Sequence, residues 1–273
     1  KHRMAEYLKE LQLDQGRFSW REFGEGPPLV MLHGWSMSHA VFTEQATLLK
    51  NDFRLLIPDL PGHGESDLVE PCSLVSFSKL LATWLKELDI KQVDLLGWSL
   101  GGQVAMKFAA DYPQQVRRLL LMSTTPRFCA NDNWSAGLPL SELRVLRRGL
   151  QKRYQATMGD FFDLQFKGED IPAARRREIL QFAVRPVGLP DPAMALLTLG
   201  ILGHEDLRPL LDTIDQPTLV IHGDNDQIIP LMAGQYLSER LPHARLISLP
   251  GIGHAPFLSS PEPLAKLVCE FYQ

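Results

Sequence analysis

The chain has 273 residues, 45% of them hydrophobic and 22% charged, with 20 glycines, 20 prolines and a formal net charge of −4. That balance at that length excludes intrinsic disorder, a collagen-like repeat and a small disulfide scaffold, and the acidity gives no ground for a nucleic-acid partner. Cys72, Cys129 and Cys269 lie far apart without a CxxC spacing, so they are expected to be buried thiols in a reducing compartment.

No apolar run reaches the ~18 residues that a membrane span needs. The opening KHRMAEYLKELQ turns charged where a signal peptide would carry its apolar stretch, so a cytoplasmic protein is expected, and residues 1–3 are set aside from the fold. Residues 18–23 are expected to form an antiparallel strand at a sheet edge. Short apolar runs follow at 28–33, 54–58, 93–97, 118–122, 218–222 and 244–249, most of them continuous rather than alternating, as in strands buried on both faces of a parallel sheet. Between them, 41–50, 76–88, 101–112, 231–241 and 261–272 have helical spacing. The alternation predicts an α/β fold with an open, mostly parallel sheet and helices on both faces.

It breaks between 125 and 206, where the spacing turns helical, Arg and Met become frequent and no strand-like run occurs. The expected organisation is a core in two parts, 1–124 and 207–273, with a helical cap at 125–206 inserted over the carboxyl ends of the strands, where open α/β sheets place their ligands.

The most informative segment is Gly97-Trp98-Ser99-Leu100-Gly101-Gly102, after one predicted strand and before a helix. A serine flanked by glycines at that junction is a nucleophile elbow, a turn so tight that only small residues fit beside it. Neither GxGxxG nor GxxxxGK[ST] occurs, which weighs against phosphate binding. A serine hydroxyl needs a base, and His254, in Gly253-His254-Ala255-Pro256 after the last strand, falls at the same end of the sheet. The segment from Gly223 to Pro230 offers Asp224 and Asp226 as the acid that would hold the imidazole in one tautomer. His33, His63 and His222 are expected to be structural hydrogen-bonders, and His2, His39, His204 and His243 fit no catalytic position. Two backbone amides must meet the oxyanion of the tetrahedral intermediate, one from Leu100 after the nucleophile and one from Trp35 in His33-Gly34-Trp35. The turn from Asp59 to Ser66 reads as scaffold, and no His or Cys spacing suggests a metal site.

With these residues in place the chain resembles the α/β-hydrolase superfamily over nearly its whole length, and within it the pimeloyl-acyl-carrier-protein methyl ester esterases of biotin synthesis. Leu32-His-Gly-Trp-Ser36, Leu96-Gly-Trp-Ser-Leu-Gly-Gly102, the run from Ser123 to Cys129 with Trp134, Phe161-Phe-Asp-Leu-Gln165 and His254-Ala-Pro-Phe257 carry the resemblance. It selects Asp226 over Asp224 as the acid and implies a cofactor-free monomer, with Ser99, Asp226 and His254 as triad, Trp35 and Leu100 as oxyanion hole, and Trp35, Leu100 and Phe161 lining an acyl channel. It also implies acyl carrier protein as partner, met by cap arginines. Residues 141–177 hold nine basic and five acidic side chains, an asymmetry that would steer an acidic partner. Ala156 and Asp160 stand where the resemblance leads one to expect arginines, so the contact set is expected on Arg175, Arg176 and Arg177. A plain solvated helix face is the alternative for the charge. A general short-chain carboxylesterase, a carbon-carbon-bond hydrolase and a ligand receptor that keeps the triad are the alternatives for function.

Overall fold

The computed structural model of the protein describes residues 7–273; His2 lies outside them. Its strands are β1 (Leu8–Leu13), β2 (Gly16–Phe23), β3 (Pro28–Leu32), β4 (Arg54–Pro58), β5 (Val93–Trp98), β6 (Val116–Met122), β7 (Thr218–Gly223) and β8 (Ala244–Leu249). They form one sheet in the order β1-β2-β4-β3-β5-β6-β7-β8. The β1–β2 and β2–β4 pairs are antiparallel and the other pairs are parallel. Residues 18–23 are thus antiparallel as expected but not at the edge, because Leu8–Leu13 pairs outside them. That outer strand exposes Lys9 and Glu10, and its leucines follow no strict period, so a chain with one open flank left little pattern to read.

The helices are α1 (Thr43–Leu49), α2 (Leu74–Glu87), α3 (Leu100–Asp111), α4 (Leu140–Lys152), α5 (Tyr154–Leu164), α6 (Ala173–Ile179), α7 (Pro192–His204), α8 (Leu231–Arg240), α9 (Pro256–Ser259) and α10 (Pro261–Tyr272). Caps fix several starts: Ser73 Oγ accepts the Ser76 N–H at α2, and Asp191, with proline at the first helical position, accepts the Ala193 N–H at α7.

β5 and β7 are buried along their whole length, which the continuous apolar runs require. The period of two then divides their side chains between two cores. Val30, Leu32, Leu95, Leu119 and Leu121 meet Phe77, Trp84, Val104 and Phe108 of α2 and α3. On the other face Leu29, Met31, Leu96, Leu120 and Met122 meet Phe42, Leu49, Leu264 and Val268 of the α1 and α10 side. The one acid within β5, buried Asp94, is held by Arg117 through Nε (3.0 Å) and Nη2 (2.5 Å). Of the cysteines expected to be buried only Cys129 is; Cys72, ahead of α2, and Cys269, in α10, are half-buried.

The chain passes from β4 on one side of β3 to β5 on the other, so the crevice at the carboxyl ends of β3 and β5 is the topological switch point where such sheets bind ligands. Helices α4 to α7 all fall between β6 and β7. One tie from this segment to the sheet side is Arg175 of α6. Its guanidinium meets both oxygens of Glu44 on α1 (2.7 and 2.6 Å) and the Leu258 carbonyl (2.9 Å), with Glu178 a further partner at 3.1 Å. A bidentate pair only about a quarter exposed keeps more of its Coulomb energy than an open surface pair. In a double-mutant cycle on urea unfolding, Arg175→Ala and Glu44→Ala should show a coupling of about 1 kcal/mol; strict additivity would mean the two ends of this tie stabilise the fold independently.

Candidate active site

The elbow is built by close approach. A Cβ on Gly101 would collide with the Leu32 and His33 carbonyls, one on Gly97 with the Gly101 carbonyl, and one on Gly102 would stand 2.6 Å from the Thr124 side chain. With no side chains at these three positions, α3 starts directly against β3 and β6. Ser99 between them takes φ 54° and ψ −117°, a left-handed conformation that costs a non-glycine residue about 1–3 kcal/mol. The turn is held by Ser99 N–H to the Met122 carbonyl (3.0 Å) and by Thr124 Oγ1, which donates to the Ser99 carbonyl (2.6 Å).

Across the switch point, Gly34 follows β3. A Cβ there would stand 3.1 Å from the Trp98 ring and 3.4 Å from Ser99 Cβ, so this loop lies against the elbow. Among the described residues neither the Trp35 nor the Leu100 amide donates a hydrogen bond, and Leu100 opens a helix whose first N–H groups have no intrahelical acceptor. These are the two amides the sequence singled out.

Two buried histidines brace the Trp35 loop. His33 Nε2 accepts the Leu60 N–H (2.9 Å) and its Nδ1 donates to the Gly34 carbonyl (2.7 Å). His63 Nε2 accepts the Ser36 N–H (3.0 Å) and its Nδ1 donates to the Pro61 carbonyl (3.1 Å). Each ring must keep one lone pair, so each works only when neutral. Burial in the first place pushes their pKa values down, to about 3 for His33 and about 4 for His63. Asp59 stands beside them. Burial opposes its charge, but the ring and backbone N–H groups of His39 (2.9 and 2.8 Å) outweigh it and hold the carboxyl at about 2.

On the other side of the elbow the Asp226 carboxylate is fully engaged. Oδ1 accepts the Ile228 and Ile229 N–H groups, both at 2.9 Å, and Oδ2 faces His254 Nδ1 at 2.8 Å. Burial works to raise its pKa, and the charges and hydrogen bonds of His254 and His222 overcome that, leaving it well below the usual carboxylate range. Asp224 is exposed and instead accepts the Gly251 N–H (2.7 Å), a turn-fixing bond. His254 is 2% exposed, and its loop is held by three contacts that the sequence did not reveal. Its carbonyl accepts the Trp98 indole N–H (2.9 Å), its own N–H donates to the Gln165 carbonyl (3.0 Å), and its ring lies 5.5 Å from that of Trp98. The tryptophan adjoining Ser99 was the available signal for the first contact; the Gln165 carbonyl left none.

A cleft of about 710 Å³ opens beside the acid loop, with Phe128, Leu146, Phe161, Leu164 and Ile228 among its apolar walls and Arg153 and Lys167 among its charged ones. Of the three side chains expected to line an acyl channel, Phe161 stands in this cleft, and Trp35 and Leu100 do not. The Trp35 ring is buried behind Phe161, edge to face at 5.1 Å, its indole N–H shared between the Ala195 carbonyl and Thr198 Oγ1 of α7 at 3.1 Å each. Leu100 is wholly buried in the α3 core. The expected carrier contacts also divide. Arg175 is consumed by Glu44 and Glu178, Arg176 is paired with Asp163, and Arg177 alone of the three is exposed. The carboxylates that claim them come from α1 (Glu44), α5 (Asp163) and α6 itself (Glu178), brought onto one patch by the fold. No group of three or more His, Cys, Asp or Glu side chains among the described residues could hold a metal ion, and no helix is long and apolar enough to cross a membrane.

The strained serine, the free amides and the paired acid and histidine together have the form of a serine hydrolase. The chain belongs to the α/β hydrolase fold family, which matches residues 27–261, and within it to the pimeloyl-[acyl-carrier protein] methyl ester esterases. It is 39% identical over 239 residues to the protein of that name from Nitrosomonas europaea, covering 88% of this chain and 93% of the relative. The Chromobacterium violaceum protein of the same name is 34% identical over 251 residues, covering 90% and 94%. Among solved structures, an esterase from Exiguobacterium antarcticum superposes with a TM-score of 0.89 at 24% identity, over 96% of this chain and 98% of that one.

The neutral histidines give the fold a defined acid sensitivity. Both have native pKa values below the unfolded value of about 6.5, so their contribution is complete above that pH and is lost as pH falls through about 4 for His63 and about 3 for His33. In that window the unfolded chain binds up to two more protons than the native one, a slope approaching about 2.7 kcal/mol per pH unit; Asp59 and Asp226, whose native values are depressed, extend the loss below about pH 4. Urea midpoints measured from pH 7 to 4.5 should fall steeply, and His63→Gln should roughly halve the slope. A flat profile would contradict the neutral-histidine bracing.

Proposed function

We propose that this chain hydrolyses the methyl ester of pimeloyl-acyl carrier protein, with Ser99 as nucleophile, His254 as general base and acid, and Asp226 as the group that orients and balances the imidazole. The observation that carries the reading is the buried His254–Asp226 pair at the same sheet end as a positive-φ serine, in a chain whose curated relatives bear that name. In this mechanism Ser99 Oγ attacks the ester carbonyl while His254 Nε2 takes its proton. The oxyanion forms between the Trp35 and Leu100 amides, which have no other acceptor to leave. Collapse expels methanol with the proton from Nε2, and water, deprotonated by the same nitrogen, releases the acid from the acyl-enzyme. Residues 125–206 would serve as a cap over the two-part core, with Phe161 on the wall of the cleft beside the acid loop, which would take the acyl chain.

The carrier contacts are reassigned to α4. Arg144, Arg147, Arg148, Lys152 and Arg153 form no salt bridge among the described residues, and Arg153 lies on the cleft wall. An exposed cationic helix beside the cleft raises encounter rates with an acidic carrier without altering the chemistry at Ser99.

Two sets of kinetics test the reading. Ser99→Ala should abolish labelling by an organophosphonate, and Asp226→Asn should cost on the order of 10⁴ in kcat by leaving the imidazole in the wrong tautomer. Asp224→Asn should cost far less; the reverse ranking would move the acid. Reversing Arg144, Arg147 and Arg148 to Glu should lower kcat/KM for the carrier-bound ester about tenfold, more at low salt than at high, and leave p-nitrophenyl acetate turnover nearly unchanged. Equal losses on both substrates would show that α4 supports the cap rather than the carrier.

A further inference from the structure

We propose that His222 is a positioning residue for Asp226, standing against the same carboxylate oxygen that His254 uses. This rests on the reading of Ser99, Asp226 and His254 as the triad. His222 closes β7 with no exposure to solvent. Its Nε2 lies 2.7 Å from the Ile229 carbonyl and 3.4 Å from Asp226 Oδ2. A carbonyl can only accept, so Nε2 carries the proton and donates it to the Ile229 carbonyl, which leaves the N–H beside Asp226 Oδ2 at 3.4 Å. Nδ1 has no partner, and Gly234 of α8 closes over it; a Cβ there would stand 2.8 Å away. A second proton on Nδ1 would be a buried donor without an acceptor, so the geometry selects the Nε2–H tautomer.

The carboxylate is thereby fixed on both sides. Two amides fix Oδ1, and Oδ2 lies between His254 Nδ1 at 2.8 Å and the His222 imidazole at 3.4 Å. Glu169, from the turn between α5 and α6, also faces this cluster; burial raises its pKa, and its carboxyl accepts from Ser259 Oγ at 3.0 Å. Without His222 the whole charge of Oδ2 would face His254 and stabilise the imidazolium. His222 therefore takes a share of the Oδ2 charge and keeps that oxygen aimed at His254.

The test compares His222→Leu, His222→Gln and Asp226→Asn on p-nitrophenyl acetate across pH, with urea midpoints measured alongside. Leu should raise the acid limb of kcat/KM by about 0.5 pH unit and lower kcat about tenfold. Gln, which can place a donor near the Nε2 position, should restore the limb and most of the rate. A limb unmoved in the Leu variant, beside an inactive Asp226→Asn, overturns the role of His222 alone; an active Asp226→Asn overturns the triad reading itself. Should the Leu variant fail to fold, nitrogen NMR of ¹⁵N-histidine-labelled parent protein decides: His222 should show a protonated Nε2 and a bare Nδ1, and a protonated Nδ1 contradicts the proposal.

Discussion

Everything at the site depends on how closely α3 approaches β3. Gly101 lies against the Leu32 and His33 carbonyls, and Gly97 against the Gly101 carbonyl, at separations that no side chain tolerates. That contact forces the turn at Ser99 into the left-handed region, starts a helix with a free Leu100 amide beside it, and brings Gly34 alongside Ser99 Cβ. The strain is sustained because the neighbours over-determine it: β6 accepts the Ser99 amide, Thr124 holds its carbonyl, and the Trp98 indole ties the adjoining residue to the His254 loop. One sheet end thus receives a proposed nucleophile, two unclaimed amides and a histidine–carboxylate pair from four different loops.

Histidine serves this end of the sheet in three distinct ways. His33 and His63 are neutral struts whose lone pairs receive backbone amides, so protonation would undo the loop that presents Trp35. His254 is the opposite case, paired with a carboxylate that welcomes its positive charge. His222 is a third, giving its proton to the Ile229 carbonyl beside that carboxylate and turning its bare nitrogen on a glycine. Four imidazoles of identical chemistry are separated in behaviour by what each nitrogen meets.

Much of this was legible in the chain before folding. Continuous apolar runs identified the buried strands because two-sided burial leaves no polar face, and the glycine spacing around Ser99 identified the elbow because close approach demands it. The edge strand Leu8–Leu13 was not legible, since an edge strand carries charges and no clean period. Nor were the fates of Arg175 and Arg176, because a run of like charge looks free until tertiary structure brings Glu44 and Asp163 to it. The buried position of the Trp35 ring escaped for the same reason: its indole partners, Ala195 and Thr198, lie some 160 residues away. Sequence spacing conveys local geometry well, and it is silent on which distant group claims a side chain.

The central claim is that the strained serine, the Trp35 and Leu100 amides and the His254–Asp226 pair act on one carbonyl. A crystal structure of the protein after reaction with an organophosphonate ester tests it directly. The account predicts phosphorus bonded to Ser99 Oγ, the phosphonyl oxygen within about 3 Å of both amides, and His254 still joined to Asp226. An adduct on another residue, or a phosphonyl oxygen turned away from the two amides, would contradict it.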